Sequence, residues 1–285
     1  MDDGTVVKGY LLQQGTWPSM PHALVSFLQT ALPVLRGDER LLAVAAGGSF
    51  ASGEMDEHSD LDLVLVCEPD SWPEMLSSRS ELAERLGPLL AAFTGEHVGE
   101  PRLLICLYGP PLVHVDLKFV SLENLGERVE DPVVLWDRTG EATALLGRGS
   151  SKYPQPDLQW IEDRFWVWIH YGASKVARGE LFEALGFLAF LRGSVLGPLS
   201  LAAAGCQPNG VRKLETRVPE RKRELLATIG AYHPRVCVEA LLACSETYKR
   251  LRAELALPGF AKRSDVEAEV LAYLSRLIDG TRDGD

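Results

Sequence analysis

Two aspartates separated by one residue carry the most informative chemistry in this sequence. Asp60 and Asp62 stand at the start of an apolar segment that runs to Cys67. On a β-strand, residues two apart point to the same side. Neighbouring carboxylates repel each other unless a cation lies between them. Their hard oxygen atoms suit Mg²⁺, which keeps some of its waters and takes other ligands from substrate phosphates. The pair therefore predicts a metal site for phosphoryl or nucleotidyl transfer.

A glycine turn precedes this pair by about ten residues. Residues 41–46 are apolar and long enough for one buried strand, and Gly47, Gly48 and Ser49 follow them. Glycine allows the chain to turn sharply and to bring backbone amides close to a ligand. Ser49 adds a hydroxyl group at the turn. The alternative is a plain glycine turn followed by a polar strand end, in which Asp60 only caps a turn. The ordered combination of turn, serine and paired carboxylates favours the functional interpretation.

A third acid lies on a later strand. Residues 112–120 alternate between apolar and polar, which places His114, Asp116 and Lys118 on one face. If that face is shared with the first two aspartates, Asp116 completes a carboxylate triad. A third carboxylate can bind a second metal ion or take the proton from an attacking hydroxyl, and the sequence leaves both roles open. The alternative is an exposed polar strand face. Asp137 is a further acid, and its position before Arg-Thr-Gly predicts a turn residue instead.

The order Gly-Ser, a spacer of about ten residues and Asp-x-Asp resembles the signature of the nucleotidyltransferase superfamily that shares its palm with DNA polymerase beta. The resemblance implies that Gly48 and Ser49 contact a triphosphate. It also implies that Asp60, Asp62 and Asp116 are catalytic residues that hold Mg²⁺. The implied reaction transfers a nucleoside monophosphate to a hydroxyl of a small molecule and releases pyrophosphate. The implied donor is ATP, which supplies AMP, or another nucleoside triphosphate, which supplies its own monophosphate.

The relatives that the motif resembles most are the small-molecule enzymes that modify aminoglycoside or lincosamide antibiotics. In them a helical domain closes one side of the cleft, and a basic residue commonly reaches the triphosphate. Lys175 is the residue that the resemblance points to, with Arg178 behind it on the same helix face. Tyr171, Glu180 and Glu183 are candidates for substrate binding. The alternatives are a solvated basic helix end and first-turn acids favoured by the helix dipole.

The pattern of elements predicts an α+β fold. An α/β palm with a mixed sheet of about five strands and flanking helices is followed by an all-α helical bundle. A shift to Gly, Ser and Pro over residues 147–156 separates a palm domain, residues 1–150, from a helical domain, residues 151–285. Residues 78–93 are predicted to form one amphipathic helix. The predicted strands are residues 41–46, 61–67, 102–108, 112–120 and 132–140.

Composition and net charge limit the classes of binding partner and the cellular compartment that the sequence is compatible with. The net charge of −11 over 285 residues argues against a nucleic-acid partner and is compatible with a cationic substrate. Five scattered cysteines without a Cys-x-x-Cys pair argue against a disulfide framework or zinc site, and they suit a reducing cytoplasm. No apolar run matches a membrane span, and the acidic N-terminus is unlike a secretory signal. A monomer and a homodimer are both compatible with the sequence.

The sequence leaves two alternative functions open. A nucleotidyltransferase-fold protein can act on or bind a protein partner, as in toxin–antitoxin systems, but such domains are usually shorter and lack a large helical half. A non-catalytic nucleotide-binding module is the other alternative. Three mutually repelling carboxylates argue against it, because a degenerate site has no physical reason to keep them.

Overall fold

The computed structural model describes residues 20–280. The chain divides into two compact units, of which the first ends at Lys152 and the second begins at Tyr153. Each unit has its own hydrophobic core.

The first unit is built on a six-stranded mixed sheet. Its strand order is β3-β4-β5-β2-β1-β6, in which β2 and β5 are parallel and all other neighbours are antiparallel. This sheet with its flanking helices confirms the predicted α+β class. In chain order its elements are α1 His22–Arg36, β1 Leu41–Ala46, α2 Gly48–Ser52, β2 Leu61–Cys67, α3 Trp72–Leu86, β3 Leu89–Gly95, β4 Glu100–Tyr108, β5 Val113–Ser121, α4 Leu122–Leu125, β6 Val133–Asp137 and α5 Glu141–Leu146.

The two faces of this sheet differ in polarity. One face is buried under α1 and α3, because alternate residues of every central strand are apolar there. The opposite face is half-buried and carries Asp62 on β2 and Asp116 on β5. A small apolar cluster with α4 and α5 covers only part of that face. The sheet therefore presents its polar residues on the side that its main core leaves uncovered.

The predicted helix over residues 78–93 is wrong in its second half. Helix α3 ends at Leu86, and β3 begins at Leu89. Pro88 cannot continue a helix, and it also restrains Gly87, the residue before it, to extended geometry. As a result the sheet gains a sixth strand. The side chains of Leu90 and Phe93 are 58% and 54% exposed.

The second unit is helical, as the sequence predicts. Its helices surround a core of leucine, valine and aromatic side chains. A five-residue π-helical turn, Arg192–Leu196, links two of them into one continuous stretch. The helices are α6 Leu158–Ala177, α7 Leu181–Leu191, α8 Gly197–Ala203, α9 Leu214–Arg217, α10 Lys222–Ala227, α11 Pro234–Leu255 and α12 Ser264–Gly280.

One stretch among the described residues, Leu181–Ala203, is long and apolar enough to cross a membrane by length and composition alone. Half of its most apolar window is buried inside the structure, as in the core helix of a helical domain. The apolar character of this stretch therefore has a packing explanation.

A buried carboxylate ties three segments of the second unit together. Glu162 on α6 accepts hydrogen bonds from the Tyr248 hydroxyl at 2.6 Å, from Arg252 Nη1 at 3.0 Å and from the Arg263 backbone amide at 2.8 Å. Burial opposes ionisation of this carboxyl, but these donors outweigh it and lower the pKa of Glu162. The network joins α6, α11 and the segment that leads into α12.

Candidate functional site

Asp62 and Asp116 are brought together by the pairing of β2 with β5. The two strands are parallel and place Asp62 directly opposite Asp116. Neighbouring strands lie about 4.8 Å apart, so the two side chains share one location on the polar face. Asp116 is 20% exposed, and its Oδ1 lies 3.1 Å from His114 Nε2. The alternation of β5 thus turns Asp116 toward the same face as Asp62.

Asp60 stands just before β2 and is half-buried. Within residues 20–280, no three His, Cys, Asp or Glu side chains form a group that could hold a metal ion. The predicted triad is therefore not preassembled. The paired oxygens of Asp62 and Asp116 still fit Mg²⁺, because this ion needs only one or two protein carboxylates beside waters and substrate phosphates.

The glycine turn closes directly against Asp62. Gly48 has φ +56°, a conformation that residues with side chains rarely adopt, and it begins the short helix α2 rather than an open loop. The Gly47 amide donates a hydrogen bond to the Asp62 carbonyl oxygen at 2.9 Å. A Cβ atom added at Gly48 would lie 2.0 Å from Asp62 Oδ2. Glycine is required here both by the backbone angle and by the approach of this carboxylate.

Ser49 presents an unsatisfied hydroxyl at the same turn. Among the residues that the structure describes, no partner forms a hydrogen bond with its Oγ atom, although the atom is buried. Leaving such a group unpaired costs about 1–3 kcal/mol. A ligand oxygen at the turn would satisfy this hydroxyl. The structure therefore brings Gly48, Ser49, Asp62 and Asp116 into one region of the first unit.

Glu130 is a site residue that the sequence analysis missed. Its Oε1 accepts a hydrogen bond from the Gly48 amide at 3.0 Å, across 82 residues of sequence. A Cβ atom added at Gly47 would lie 2.4 Å from the same oxygen. No local motif marks Glu130, which lies in the segment between α4 and β6. The glycine turn is thus flanked by two carboxylates, Asp62 and Glu130.

A cavity of about 260 Å³ lies on the polar face of the sheet, and neither Asp62 nor Asp116 lines it. Val64 and Lys118, which line it, lie two residues beyond Asp62 and Asp116 on their strands. Lys118 and Arg102 both bind Glu100, at 3.0 Å and 2.7 Å. The hydrogen bond from Arg102 is the main cause that lowers the pKa of Glu100 to about 2. The rest of the lining is Val120, Asn124, Leu125, Glu127, Arg128, Val129, Glu130 and Pro132.

In the second unit, the five residues selected from the sequence form one cluster. Lys175 Nζ lies 2.8 Å from Glu180 Oε2 and 3.1 Å from Glu183 Oε1. The Tyr171 hydroxyl donates to Glu183, and Arg178 Nε lies 2.8 Å from Glu180 Oε1. The hydrogen bonds to Glu180 and then Glu183 raise the pKa of Lys175. Lys175 is therefore an ion-paired residue rather than the free cation that a phosphate contact suggests.

The solved structures that are similar to this chain include the following two. One is an aminoglycoside 6-adenyltransferase from Bacillus subtilis, with a TM-score of 0.38 and 17% identity over 88% of this chain and 97% of that chain. The other is a nucleotidyltransferase-like protein from Exiguobacterium sibiricum 255-15, with a TM-score of 0.37 and 13% identity over 91% of each chain. No model of a protein family matches the sequence. No curated protein matches it at a significant level.

Proposed function

We propose that this protein is a Mg²⁺-dependent nucleotidyltransferase that transfers AMP from ATP to a hydroxyl of a small molecule and releases pyrophosphate. The observation that supports this best is the register of Asp62 opposite Asp116, with Gly48 closed against the Asp62 carboxylate. A carboxylate pair next to a glycine turn is a suitable arrangement for a metal–triphosphate complex.

The paired carboxylates have the first role in this proposal. Asp62 and Asp116, with Asp60 at the entrance to β2, would hold Mg²⁺. When bound, the metal would polarise the α-phosphate and neutralise the charge of the departing pyrophosphate. Asp116 is also the candidate general base, since its carboxylate can take a proton from the acceptor hydroxyl. Its 3.1 Å contact with His114 orients the carboxylate for either role.

The glycine turn has the second role. A phosphate oxygen would accept a hydrogen bond from the Gly48 amide and another from the Ser49 hydroxyl. This would require Glu130 to leave the Gly48 amide, to which it is bonded at 3.0 Å. The exchange replaces one anion with another, so the amide remains satisfied. It also supplies the partner that the buried Ser49 hydroxyl lacks among the described residues.

The second unit would contribute to recognition of the acceptor. Glu180 and Glu183 hold the ammonium group of Lys175 between them. An amino group of a cationic acceptor, such as an aminoglycoside or lincosamide antibiotic, would bind the same two carboxylates. The net charge of −11 favours the approach of such an acceptor.

Calorimetric titration of ATP and of GTP, each with Mg²⁺, tests the proposal. We expect Mg²⁺-dependent binding of ATP to the wild-type protein and none to the Asp60→Asn/Asp62→Asn double variant. Asp70→Asn, which changes an exposed aspartate outside the site, is the matched control and should bind like wild type. A folded wild-type protein that binds no nucleoside triphosphate would refute the proposal. With binding established, pyrophosphate release in the presence of aminoglycosides and lincosamides identifies the acceptor.

A further inference from the structure

The exposed apolar side chains of the first unit are gathered at one end of its sheet. Six large hydrophobic residues are exposed in the described part of this unit, and only Val129 lies elsewhere. Leu90 and Leu112 belong to one patch, because a Cβ atom added at Gly109 would lie within 3.3 Å of both side chains. The five residues at this end are Leu90 at 58%, Phe93 at 54%, Val98 at 61%, Leu107 at 37% and Leu112 at 69% exposure.

Strand β3 forms the edge of the sheet at this end. Its sequence, Leu-Leu-Ala-Ala-Phe-Thr-Gly, contains no charged residue and no proline. Sheet edges are normally protected by charges or proline, because unpaired backbone groups there can pair with another chain. Both edge strands are preceded by a proline, Pro88 before β3 and Pro132 before β6, and each is followed by a charged residue, Glu96 and Arg138. The two edges differ within the strands themselves, because β6 ends on Asp137 whereas β3 carries no charge.

The apolar patch is large enough to matter for association. Half-exposed leucine, valine and phenylalanine side chains each present on the order of 100 Å², so the five together present roughly 500 Å². Each partner of a standard protein–protein interface buries about 800 Å². The five side chains would therefore supply more than half of one side of a stable interface.

We propose that the β3 edge joins two copies of this chain, with the two β3 strands antiparallel about a two-fold axis. A two-fold axis brings the same surface of each copy into contact, so the surface must be complementary to itself. An uncharged strand meets this condition. Two chains that each carry a net charge of −11 repel one another, and β3 adds no charge of its own to that repulsion. Charge thus favours a second copy on β3 over contacts at acidic surfaces.

The irregularities of β3 set the extent of the pairing. Register shifts lie between Leu89 and Ala91 and between Thr94 and Gly95, which leaves Ala91 to Thr94 as the regular part. The two-fold axis therefore passes near Ala92 and Phe93. The backbone contribution is short, and side chains such as Phe93 and Leu90 provide most of the contact.

The contact would lie beside the candidate site without depending on it. Asp116 pairs with Ile105 on β4, and Ile105 pairs with Phe93 on β3. Two strand spacings, about 10 Å, thus separate Asp116 from the proposed interface. The second copy would border the side of Asp116 that lies away from the glycine turn. Dimerisation through β3 does not require nucleotide binding, so the two proposals fail independently.

Sedimentation velocity of the full chain over a range of micromolar concentrations tests the proposal. We expect a dimer for wild type, and we expect Phe93→Lys and Leu90→Lys each to raise the dissociation constant at least about tenfold. Both side chains are more than half exposed, so the variants should keep the wild-type circular dichroism spectrum. Val129→Lys, an exposed apolar residue away from the edge, is the control and should remain dimeric.

Hydrogen exchange of wild type provides a measurement that needs no variant. Amides of residues 89–95 should become more protected as the concentration rises, while those of β6 should not change. A wild-type chain that remains monomeric at every concentration would overturn the proposal. A dimer that persists unchanged in both lysine variants would overturn it as well, because the contact would then lie on another surface.

Discussion

Asp62 lies directly opposite Asp116 on neighbouring parallel strands, and its carboxylate also closes against the backbone of Gly48. This relationship connects two motifs that are far apart in sequence. Strand β5 contributes one carboxylate, β2 contributes the other, and the turn after β1 contributes the amide groups. Together they form an anionic pair next to backbone donors, which is the chemistry needed to hold a metal ion and a phosphate chain side by side.

Gly48→Ala should disable the glycine turn. The new Cβ atom would meet Asp62 Oδ2 at 2.0 Å, so the carboxylate would have to move. We expect Mg²⁺–ATP to bind at least about tenfold more weakly, because both the turn and the metal ligand are displaced. Gly53→Ala is the matched control: Gly53 also has positive φ, at +70°, but nothing lies within 4 Å of an added Cβ atom. Equal losses of binding in calorimetry for both variants would mean that backbone strain alone is responsible.

Glu130→Gln should strengthen the binding of Mg²⁺–ATP. Glu130 occupies the Gly48 amide that a phosphate oxygen would use, and a neutral amide side chain is the weaker competitor. The difference between a charged and a neutral hydrogen-bond acceptor predicts a decrease of about threefold to tenfold in the dissociation constant. Glu127→Gln, on the same segment and in the same cavity lining, should have little effect. Weaker binding by Glu130→Gln would instead show that this carboxylate helps to hold the complex.

Glu162→Gln should destabilise the helical unit. The substitution removes the Glu162 charge that Arg252 contacts at 3.0 Å and 3.1 Å, while Glu267 remains 3.0 Å from the same guanidinium. Because Arg252 keeps one carboxylate partner, the expected loss is about 1.5–3 kcal/mol, the contribution of hydrogen bonds to a charged group. Denaturant titration followed by tryptophan fluorescence measures this, since Trp166 packs near Tyr248 in the same cluster. The neighbouring exposed variant Asp163→Asn should cost far less, because solvent-exposed ion pairs contribute little to stability. Comparable losses in the two variants would contradict the importance assigned to the buried network.

Acid should weaken the first unit through Asp38. Hydrogen bonding from Arg40 is the main cause that lowers the pKa of Asp38 to about 2. Because an unfolded aspartate titrates near 3.9, the stabilising contribution is complete above that pH and disappears as the pH falls toward about 2. Asp38→Asn should therefore be about 2 kcal/mol less stable than wild type at neutral pH, and the difference should shrink between pH 4 and pH 2. A difference that stays constant over that range of denaturation measurements would contradict this assignment.

The sequence was sufficient to predict the two halves of the fold and the polar face of β5. An alternating strand has only two faces, so the buried positions Val113, Val115 and Leu117 leave Asp116 on the other one. The ordered glycine turn and Asp-x-Asp pair similarly limited where β1 and β2 begin and end. The pairing of β2 with β5 then placed the two carboxylates together.

Other features depend on contacts that spacing does not encode. Leucines at 82, 86, 89 and 90 suit a helical stripe as well as a helix followed by a strand, so β3 was missed although Gly87 and Pro88 interrupt the pattern. Glu130 reaches Gly48 only through the folded path of a distant segment. The pairing of Lys175 with Glu180 and Glu183 depends on how α7 turns back after Gly179, which the helix propensities of the two segments do not specify.

Binding of Mn²⁺, a paramagnetic substitute for Mg²⁺, measured by electron paramagnetic resonance in the presence of ATP, tests the central claim most directly. Asp62 and Asp116 should each be needed to hold the metal–triphosphate complex. We expect wild type and the exposed control variant Asp70→Asn to bind Mn²⁺ with ATP, and we expect Asp62→Asn and Asp116→Asn to lose that binding. Unchanged Mn²⁺ binding in both single variants would contradict the assignment of this carboxylate pair as the metal site.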